Sequence, residues 1–246
     1  MKCLLTGGHG NLGKELIRIA DRYGIEYIVP ERRDLDISSP HCVYTYHKCN
    51  NDNIDCVVHC AAYTNVPGAE ANKKIAIDTN IFGTKNIANE FCQQNGVSLV
   101  YISTDYVYPG IKGSYKEIDI TQPINFYALT KLAGEAYAGE NDLVIRTSFK
   151  PRKWRYPRAF VDLFTSADFI DVIADKVSFL VAHKAKGIFN VGTERKSVYD
   201  IAKQCNPSIE PMSCTEITDV NLPTDTSMNI DKYNLFYEQM TRVGGK

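Results

Sequence analysis

A tyrosine and a lysine spaced for one face of a helix are the residues of this sequence best suited to chemistry. Tyr127 and Lys131 are four positions apart, so on a helix their side chains lie one turn from each other. An ammonium group held there favours the phenolate, which would bring the tyrosine pKa from about 10 toward neutrality. The pair therefore predicts a side chain that can give a proton near neutral pH.

Two hydroxyl side chains precede this pair at the end of an apolar segment. Residues 97–102 have the apolar character of a buried strand, and Ser103 and Thr104 follow them. Polar groups at the C-terminal end of such a strand lie where open α/β sheets bind ligands. A Tyr-x-x-x-Lys pair occurs by chance in many helices, so its interpretation depends on a dinucleotide site elsewhere in the chain.

A glycine-rich turn near the N-terminus predicts that dinucleotide site. Residues 2–6 are apolar, Gly7, Gly10 and Gly13 follow at intervals of three, and residues 14–23 have a helical pattern. The first glycine permits the tight turn, the second lets the backbone approach a pyrophosphate, and the third allows close packing of helix on strand. The helix N-terminus adds free N–H groups for the phosphates. A glycine-rich turn without a ligand is the alternative, and the strand–turn–helix context argues against it.

Strand and helix patterns alternate along the chain. Strands are predicted over residues 2–6, 25–29, 54–59, 97–103, 143–146 and 187–192. Helices are predicted over residues 14–23, from Ser39-Pro40 onward, over 76–94, from 125 to about 139, and over 197–203 behind a Ser cap. This alternation with right-handed crossovers predicts an α/β fold with a doubly wound parallel sheet.

Composition argues against several other classes of protein. The 246 residues carry a formal net charge of −1, which gives no sign of a nucleic-acid or membrane surface. No stretch approaches the roughly 20 apolar residues of a membrane span, and the first residues do not have the pattern of a signal peptide. The eight cysteines are scattered without a Cys-x-x-Cys pair, so they are expected to be small buried side chains. These features favour a cytoplasmic protein without disulfides or a metal site.

Together, the motifs resemble those of extended short-chain dehydrogenases/reductases. The turn from Thr6 to Gly13, the Ser103-Thr104 pair, and Tyr127 with Lys131 carry this resemblance. Finer matches over residues 57–70, 101–108 and 127–135 are similar to dTDP-4-dehydrorhamnose reductases. The resemblance is close over residues 1–149 and thin beyond them. It implies a dinucleotide-binding Rossmann domain over 1–149 and a small, shortened substrate-binding cap over 150–246, part of which returns to the sheet.

The resembled family implies a reductase. Its members reduce the 4-keto group of a nucleotide-linked 4-keto-6-deoxy sugar in deoxysugar and polysaccharide biosynthesis. By this resemblance Tyr127 gives its proton to the ketone oxygen, Thr104 polarises that oxygen, and Lys131 holds the nicotinamide ribose. Related dehydratases carry Asp-Glu after the threonine, whereas this chain has Asp105-Tyr106, so dehydration is disfavoured. A nucleotide-sugar epimerase or dehydratase of the same superfamily, or a catalytically silent cofactor-binding partner subunit, stays open as an alternative.

The end of the second predicted strand bears on the choice of cofactor. An acid there would bind the adenosine ribose, whereas an arginine accommodates the 2′-phosphate of NADP(H). Glu31 falls near the acidic position and is followed by Arg32 and Arg33. One or both arginines are otherwise solvated loop charges, Arg33 above all. We expect NADP(H), with NAD(H) as the alternative.

Other site residues follow from the resemblance. Asp36 and Ile37 match a pair beside the adenine, and Asn80 matches an asparagine that supports the active-site strand and, through water, the lysine. The predicted cofactor residues are Gly7, Gly10, Asn11, Leu12, Gly13, Glu31, Arg32, Asp36, Ile37, Cys60, Ala61, Ala62, Tyr63, Asn80, Ser103, Tyr127 and Lys131. The predicted substrate residues are Thr104, Asp105, Tyr106, Ser148 and Trp154. Glu15 matches a position linked to a metal at a dimer contact in some members. It has no second ligand, so we predict a homodimer without a metal.

A basic and aromatic stretch over residues 149–160 lies where the resemblance to that family becomes thin. It holds the only tryptophan of the chain and five positive charges, namely Lys150, Arg152, Lys153, Arg155 and Arg158. Such a cluster could clamp a nucleotide diphosphate and stack its base. A solvated loop whose aromatic side chains cap the sheet is the alternative.

Overall fold

A computed structural model describes residues 1–50, 53–93 and 95–243 of the chain. Its strands are, in chain order, β1 (Lys2–Thr6), β2 (Glu26–Ile28), β3 (Cys56–His59), β4 (Ser98–Thr104), β5 (Leu143–Thr147), β6 (Phe149–Lys150), β7 (Arg158–Phe160), β8 (Phe164–Thr165), β9 (Asp168–Phe169), β10 (Gly187–Val191), β11 (Lys196–Ser197) and β12 (Glu210–Met212). Its α-helices are α1 (Asn11–Ile19), α2 (Pro40–Cys49), α3 (Val66–Ala71), α4 (Lys73–Ala76), α5 (Gly83–Ile87), α6 (Phe126–Glu135), α7 (Ile170–Ala182), α8 (Val198–Cys205) and α9 (Asp231–Val243).

The largest sheet has six parallel strands in the order β10-β5-β4-β3-β1-β2. From β1 the chain first moves to β2 on one side and then crosses back to β3 on the other. This reversal of direction opens a crevice at the carboxyl ends of β1 and β3, where doubly wound sheets bind their ligands. The predicted doubly wound parallel sheet is therefore confirmed.

Helices cover both faces of this sheet because alternate residues of each strand point to opposite sides. Leu5 of β1 and Ile102 of β4 belong to a core that includes buried side chains of α1 and α7. Leu4 and Tyr101, which directly precede these two residues in the sequence, face a second core that includes Val43 of α2. Two apolar layers therefore hold the strand ends in fixed register beneath the site.

Side-chain caps explain where three predicted helices begin. Ser39 accepts the N–H of Cys42 and is followed by Pro40 at the first helical position. Asn125 accepts the N–H of Ala128 and so begins the helix that carries the predicted proton donor. Ser197 forms a reciprocal capping box at the start of α8, as its sequence predicted.

Several predicted boundaries differ from the structure. The first helix begins at Asn11, directly after the glycine turn, and tightens into a 3-10 turn over Ala20–Tyr23 that Gly24 ends with a φ of 62°. The helix predicted over 76–94 begins at Lys73 and contains π-helical segments at Ile77–Phe82 and Ala88–Gln93; Gln94 lies outside the described residues. The helix α6 ends at Glu135 and not near residue 139, and β4 extends to Thr104.

The last hundred residues contribute both to the main sheet and to a smaller layer beside it. The strand β10 pairs with β5, and α7 packs against α1, so part of this region does return to the sheet. The short pairs β6–β9, β7–β12 and β8–β11 form the smaller layer together with α8. A bridge between Tyr115 and Met228 brings the segment before α9 back to the loop after β4. The domain boundary at residue 149 stays a prediction.

Candidate active site

A cavity of about 560 Å³ lies at the carboxyl ends of the main-sheet strands. It is lined by the segments that follow β1, β2, β3, β4 and β5 and by the first turns of α6. The predicted residues that line it are Gly7, Gly10, Asn11, Leu12, Gly13, Arg32, Asp36, Ile37, Cys60, Ala61, Ala62, Ser103, Thr104, Asp105, Tyr106, Tyr127, Lys131 and Ser148. Glu31, Tyr63, Asn80 and Trp154 were also predicted, and they do not line it.

The three glycines of the N-terminal turn have different roles. Gly7 has a φ of +71°, and a Cβ there would lie 2.6 Å from the Ala61 nitrogen; a Cβ on Gly13 would lie 2.5 Å from the Gly7 oxygen. The fold itself therefore requires these two glycines. Gly10 has an ordinary φ of −74°, and the one close neighbour of a Cβ there would be the Gly7 oxygen at 3.1 Å.

The fold therefore does not strictly require a glycine at position 10, and the absence of a side chain there mainly keeps the cavity open. Gly10 is the N-cap of α1 and has no side chain that could accept the N–H groups of the first turn. Those donors and the positive end of the helix dipole are suited to a phosphate group. The residues present at this turn therefore fit a dinucleotide.

The charged residues after β2 separate into two groups. Arg32 lines the cavity, whereas Arg33 pairs with Glu31 at 3.2 Å between Nε and Oε2, outside it. The Glu31 carboxylate faces Arg33 and does not line the cavity, so its contact with a cofactor stays a prediction. Asp36 accepts hydrogen bonds from the Ser38 N–H and hydroxyl, which lower the pKa of its carboxyl group, and Arg32 lowers it further.

The helix α6 packs closely on β4 and so places Tyr127 and Lys131 beside Thr104. A Cβ on Gly134 would overlap the hydroxyl of Tyr101, so glycine permits this approach. The Lys131 Nζ lies 4.1 Å from the centre of the Tyr101 ring, and the Lys131 side chain is buried. An ammonium over an aromatic face is attracted to it.

The pKa values of the Tyr–Lys pair differ from the expectation. Burial raises the pKa of Tyr127 to about 12, against the effect of the Thr104 hydroxyl. Burial also lowers the pKa of Lys131 to about 7, against the effects of Cys60 and Glu135. Removal from water disfavours the charged form of each group and is the largest effect on both pKa values. Tyr127 therefore keeps its proton throughout the neutral range, and it is Lys131 that titrates near pH 7.

A buried ion pair behind the site was not predicted. Arg146 of β5 binds Glu135 of α6 at 2.7 Å, and Glu135 also accepts the Ser103 hydroxyl at 2.6 Å. Both charged side chains are less than a tenth exposed. Breaking such a pair typically costs about 3–5 kcal/mol, so it ties α6 firmly to β4 and β5. Glu135 lies two turns from Tyr127 on the same face of α6, and this spacing is the one feature of the sequence that could have suggested a position near the site.

Asn80 supports the cavity from behind. Its side chain accepts the Tyr63 N–H at 2.7 Å, donates to the Tyr63 carbonyl at 3.1 Å and donates to the Thr130 hydroxyl at 2.9 Å. It thereby joins the loop after β3 to α6. Asn80 is consequently a supporting residue, as the resemblance implied, and Tyr63 takes part through its backbone.

The basic and aromatic stretch does not form a single clamp. Arg152 pairs with Asp171, Arg158 pairs with Glu216, and Lys150 lines the cavity. Trp154 packs instead on a small apolar cluster around Leu163. Acidic partners hold Arg152 and Arg158 apart, and Trp154 does not line the cavity, so its contact with substrate stays a prediction.

No metal site is evident in the described part of the chain, where no three His, Cys, Asp or Glu side chains gather as a metal would require. Glu15 is held by Arg18, with 3.0 Å from Nε to each carboxylate oxygen. The eight cysteines are free thiols. Among the described helices, none is both long and apolar enough to cross a membrane.

This parallel sheet, its open glycine turn and its Tyr–Lys pair define the class of extended short-chain dehydrogenases/reductases, which are NAD(P)-dependent oxidoreductases. The chain belongs to the RmlD substrate binding domain family, whose profile matches residues 1–200. The resemblance predicted from the motifs is thereby confirmed.

Individual relatives are similar over part of their length. A dTDP-4-keto-6-deoxy-D-glucose reductase of Streptomyces niveus is 29% identical over 224 residues, or 81% of this chain and 76% of that protein. A dTDP-4-dehydrorhamnose reductase of Aggregatibacter actinomycetemcomitans is 28% identical over 183 residues, which are 72% of this chain and 61% of that protein. Methionine adenosyltransferase 2 subunit beta of Rattus norvegicus is 30% identical over 58% of this chain and 44% of its own.

A solved structure agrees over nearly the whole fold. The dTDP-4-dehydrorhamnose reductase of Bacillus anthracis in complex with NADP superposes with a TM-score of 0.85. The match covers 96% of this chain and 92% of that chain at 24% identity. At this identity the likeness shows the fold, and the last hundred residues are included in it.

Proposed function

We propose that the protein reduces the 4-keto group of a nucleotide-linked 4-keto-6-deoxy sugar with NADPH. The observation that carries this proposal is the presence of Thr104, Tyr127 and Lys131 in one cavity with the open turn at Gly10. The names of the bacterial relatives support the reaction and its substrate class.

The residues of the cavity suit ketone reduction. When bound, NADPH would supply the hydride. Tyr127 holds a proton at neutral pH and would give it to the ketone oxygen, while the Thr104 hydroxyl would donate a hydrogen bond to the same oxygen. Lys131, when charged, would bind the ribose hydroxyls beside the nicotinamide and stabilise the tyrosinate left after proton transfer. The N–H groups at the start of α1 and the Arg32 guanidinium would hold the phosphates.

A panel of nucleotide-linked 4-keto sugars incubated with NADPH tests this function. A reductase gives a product heavier by two hydrogens, with one NADPH oxidised per product. An epimerase gives an isomer of equal mass, and a dehydratase gives a product lighter by one water. The proposal would be contradicted if NADPH were oxidised without formation of a reduced sugar. It would also be contradicted if no sugar of the panel led to NADPH oxidation.

A catalytically silent partner subunit is the second candidate. The observation in its favour is the relative named as a subunit of methionine adenosyltransferase. Tyr127, Thr104 and Lys131 are retained in the cavity, and a subunit that only binds cofactor has no need of a proton donor. The two functions separate in the same panel, because a silent subunit binds NADPH and leaves every keto sugar unchanged.

The proposal also includes a homodimer and a cytoplasmic location. The dimer rests on the family resemblance, and the location rests on the free thiols, which suit a reducing compartment. Size-exclusion chromatography with light scattering would show a single species of twice the chain mass. A monomer at micromolar concentration would contradict the dimer.

Arg32→Ala is expected to remove a preference for NADPH over NADH. Arg32 lines the cavity and a charge-assisted contact to phosphate is worth about 1.5–3 kcal/mol, or roughly ten- to a hundredfold in affinity. Arg33→Ala is the matched control, because Arg33 lies outside the cavity with Glu31. Titration of both cofactors measures the ratio of their Kd values. The same ratio in Arg32→Ala and the parent would show that Arg32 is only a surface charge.

Lys131→Met is expected to stabilise the fold while it weakens turnover and NADPH binding. The pKa of Lys131 falls from 10.5 to about 7 on folding, so its charge opposes folding. Below pH 7 both folded and unfolded chains carry the charge and the cost is present in full; it shrinks as the folded chain loses the proton above pH 7. At pH 6 we therefore expect the substitution to raise the free energy of unfolding by about 1–3 kcal/mol. At pH 9 the increase should be smaller.

Urea denaturation at both pH values measures that gain. Lys85→Met, which replaces an exposed lysine of α5, is the control and should be nearly neutral. A Lys131→Met protein less stable than the parent at pH 6 would show that the ammonium is favourably placed in the folded state.

A further inference from the structure

We propose that Asp105 is a positioning residue that controls the hydroxyl of Thr104, and that the C-terminal part of the chain sets its strength through Thr165 and Thr226. The inference rests on the proposed function, in which Thr104 donates to the ketone. It reassigns Asp105, which the sequence suggested as a substrate contact, to a role behind Thr104.

Three hydroxyl groups from three segments surround the Asp105 carboxylate. Thr104 donates to Oδ1 at 3.2 Å, whereas Thr165 and Thr226 donate to Oδ2 at 3.0 and 2.6 Å. All four side chains are buried, and neither Thr165 nor Thr226 lines the cavity. Thr165 comes from β8 and Thr226 from the segment before α9, so the last hundred residues reach the active-site strand through this carboxylate.

The Thr104 hydroxyl has one hydrogen, which it can donate to Asp105, to the Tyr127 oxygen or to a bound ketone. Its oxygen accepts the Tyr106 N–H at 3.3 Å, and its hydrogen points to Asp105. Donation to a ketone requires that hydrogen to turn from Asp105 into the cavity. The ease of this rotation depends on how strongly Asp105 attracts it.

Thr165 and Thr226 weaken that attraction. Two donors on Oδ2 share the negative charge of the carboxylate, so less of it is directed at Thr104. Removing either donor leaves a buried carboxylate with fewer partners, which then holds the hydrogen of Thr104 more strongly. The C-terminal hydroxyls thereby release Thr104 for the reaction.

Charged and titratable neighbours act on the same carboxylate. Lys150 of β6 attracts it, and Tyr106 and Tyr127 face it from the start of the loop after β4 and from α6. Burial raises the pKa of Asp105, while Thr226, Lys150 and Thr165 oppose that rise. Loss of one hydroxyl donor should raise this pKa further, because the charged carboxylate then has fewer hydrogen-bond partners.

Thr226→Val tests the inference because valine keeps the shape of threonine and lacks the hydroxyl. We expect kcat to fall roughly three- to tenfold, with the KM for the sugar and the Kd for NADPH unchanged. Thr226→Ser restores a hydroxyl and should restore kcat. Thr193→Val is the matched control, since it removes a hydroxyl of the same region that donates to a different carboxylate, Asp168, at 2.9 Å. Thr165→Val replaces Thr226→Val if the latter does not fold.

A second readout needs no substrate. In protein with ¹³C-labelled Asp carboxyl and Thr methyl groups, NMR titration follows Asp105 (assigned from Asp105→Asn) and Thr104 together. Both signals should share one midpoint, which moves to higher pH in Thr226→Val and stays in place in Thr193→Val. A protein that reduces no sugar but shows this shared midpoint would refute the proposed reaction and keep the Asp105–Thr104 coupling. A Thr104 signal that ignores the Asp105 titration, or a Thr226→Val kcat equal to that of Thr193→Val, would overturn the inference.

Discussion

Tyr127→Phe is expected to lower ketone reduction by about 10²–10⁴-fold while NADPH affinity stays the same. The substitution keeps the ring and its packing on the cavity wall, and it removes only the hydroxyl. Because burial raises the pKa of Tyr127 to about 12, the phenol keeps its proton across the neutral range, as the proposed role of proton donor requires. Steady-state kinetics and a cofactor titration measure the two quantities separately.

Tyr137→Phe provides the control for that change. Tyr137 follows α6 but packs on the apolar core and does not line the cavity, so its hydroxyl should not affect turnover. A Tyr127→Phe protein as fast as the Tyr137→Phe protein would remove Tyr127 from the mechanism.

Gly10→Val is expected to abolish NADPH binding without unfolding the protein. The one close neighbour of a Cβ at Gly10 is the Gly7 oxygen at 3.1 Å, so we expect the fold to accept a side chain there after a small shift. The same side chain occupies the space over the α1 N-terminus where a pyrophosphate must lie. We expect the Kd to rise at least a hundredfold and the thermal midpoint to move by only a few degrees, roughly 1 kcal/mol in stability.

Two other glycines make that test specific. Gly139→Val adds a side chain outside the cavity, where its nearest atom is an Asp142 oxygen at 3.5 Å, and it should leave binding intact. Gly7→Val should instead destabilise the fold, because Gly7 has a positive φ and touches the loop after β3. Normal NADPH affinity in Gly10→Val would exclude the glycine turn as the dinucleotide site.

The parts of the site that sequence could predict are those set by local spacing. The turn from Gly7 to Gly13 and the helical pair Tyr127 and Lys131 depend on neighbours within a few residues, and all of them line one cavity. Polar residues that end strands, such as Thr104, are also placed by the topology of the sheet. These features follow from periodicity and from the geometry of parallel strands.

The parts that sequence could not predict depend on partners far along the chain. Asp105 accepts hydrogen bonds from Thr165 and Thr226, which are 60 and 121 positions away in the sequence. No pattern near Asp105 points to these partners. The Glu135–Arg146 pair likewise joins elements that only the packed fold brings together.

The prediction that the pKa of Tyr127 lies near neutrality is wrong for a related reason, because burial in the packed fold cannot be read from local spacing. The helical spacing predicts an attraction between Tyr127 and Lys131, but it does not predict how deeply the two side chains are buried. In the folded protein the loss of water around both groups is the larger effect. Trp154 shows the same limit, because its position beside Leu163 depends on the small layer that the last hundred residues build.

Transfer of deuterium from NADPH to the sugar tests the central claim most directly. The protein is incubated with NADPH deuterated at C4 of the nicotinamide, on either face in turn, and with each nucleotide-linked 4-keto sugar. The account predicts that deuterium from one of the two cofactors appears at C4 of a reduced sugar, and that Tyr127→Phe forms this product far more slowly. Cofactor binding without deuterium in any sugar would contradict it and leave the silent partner subunit as the better description.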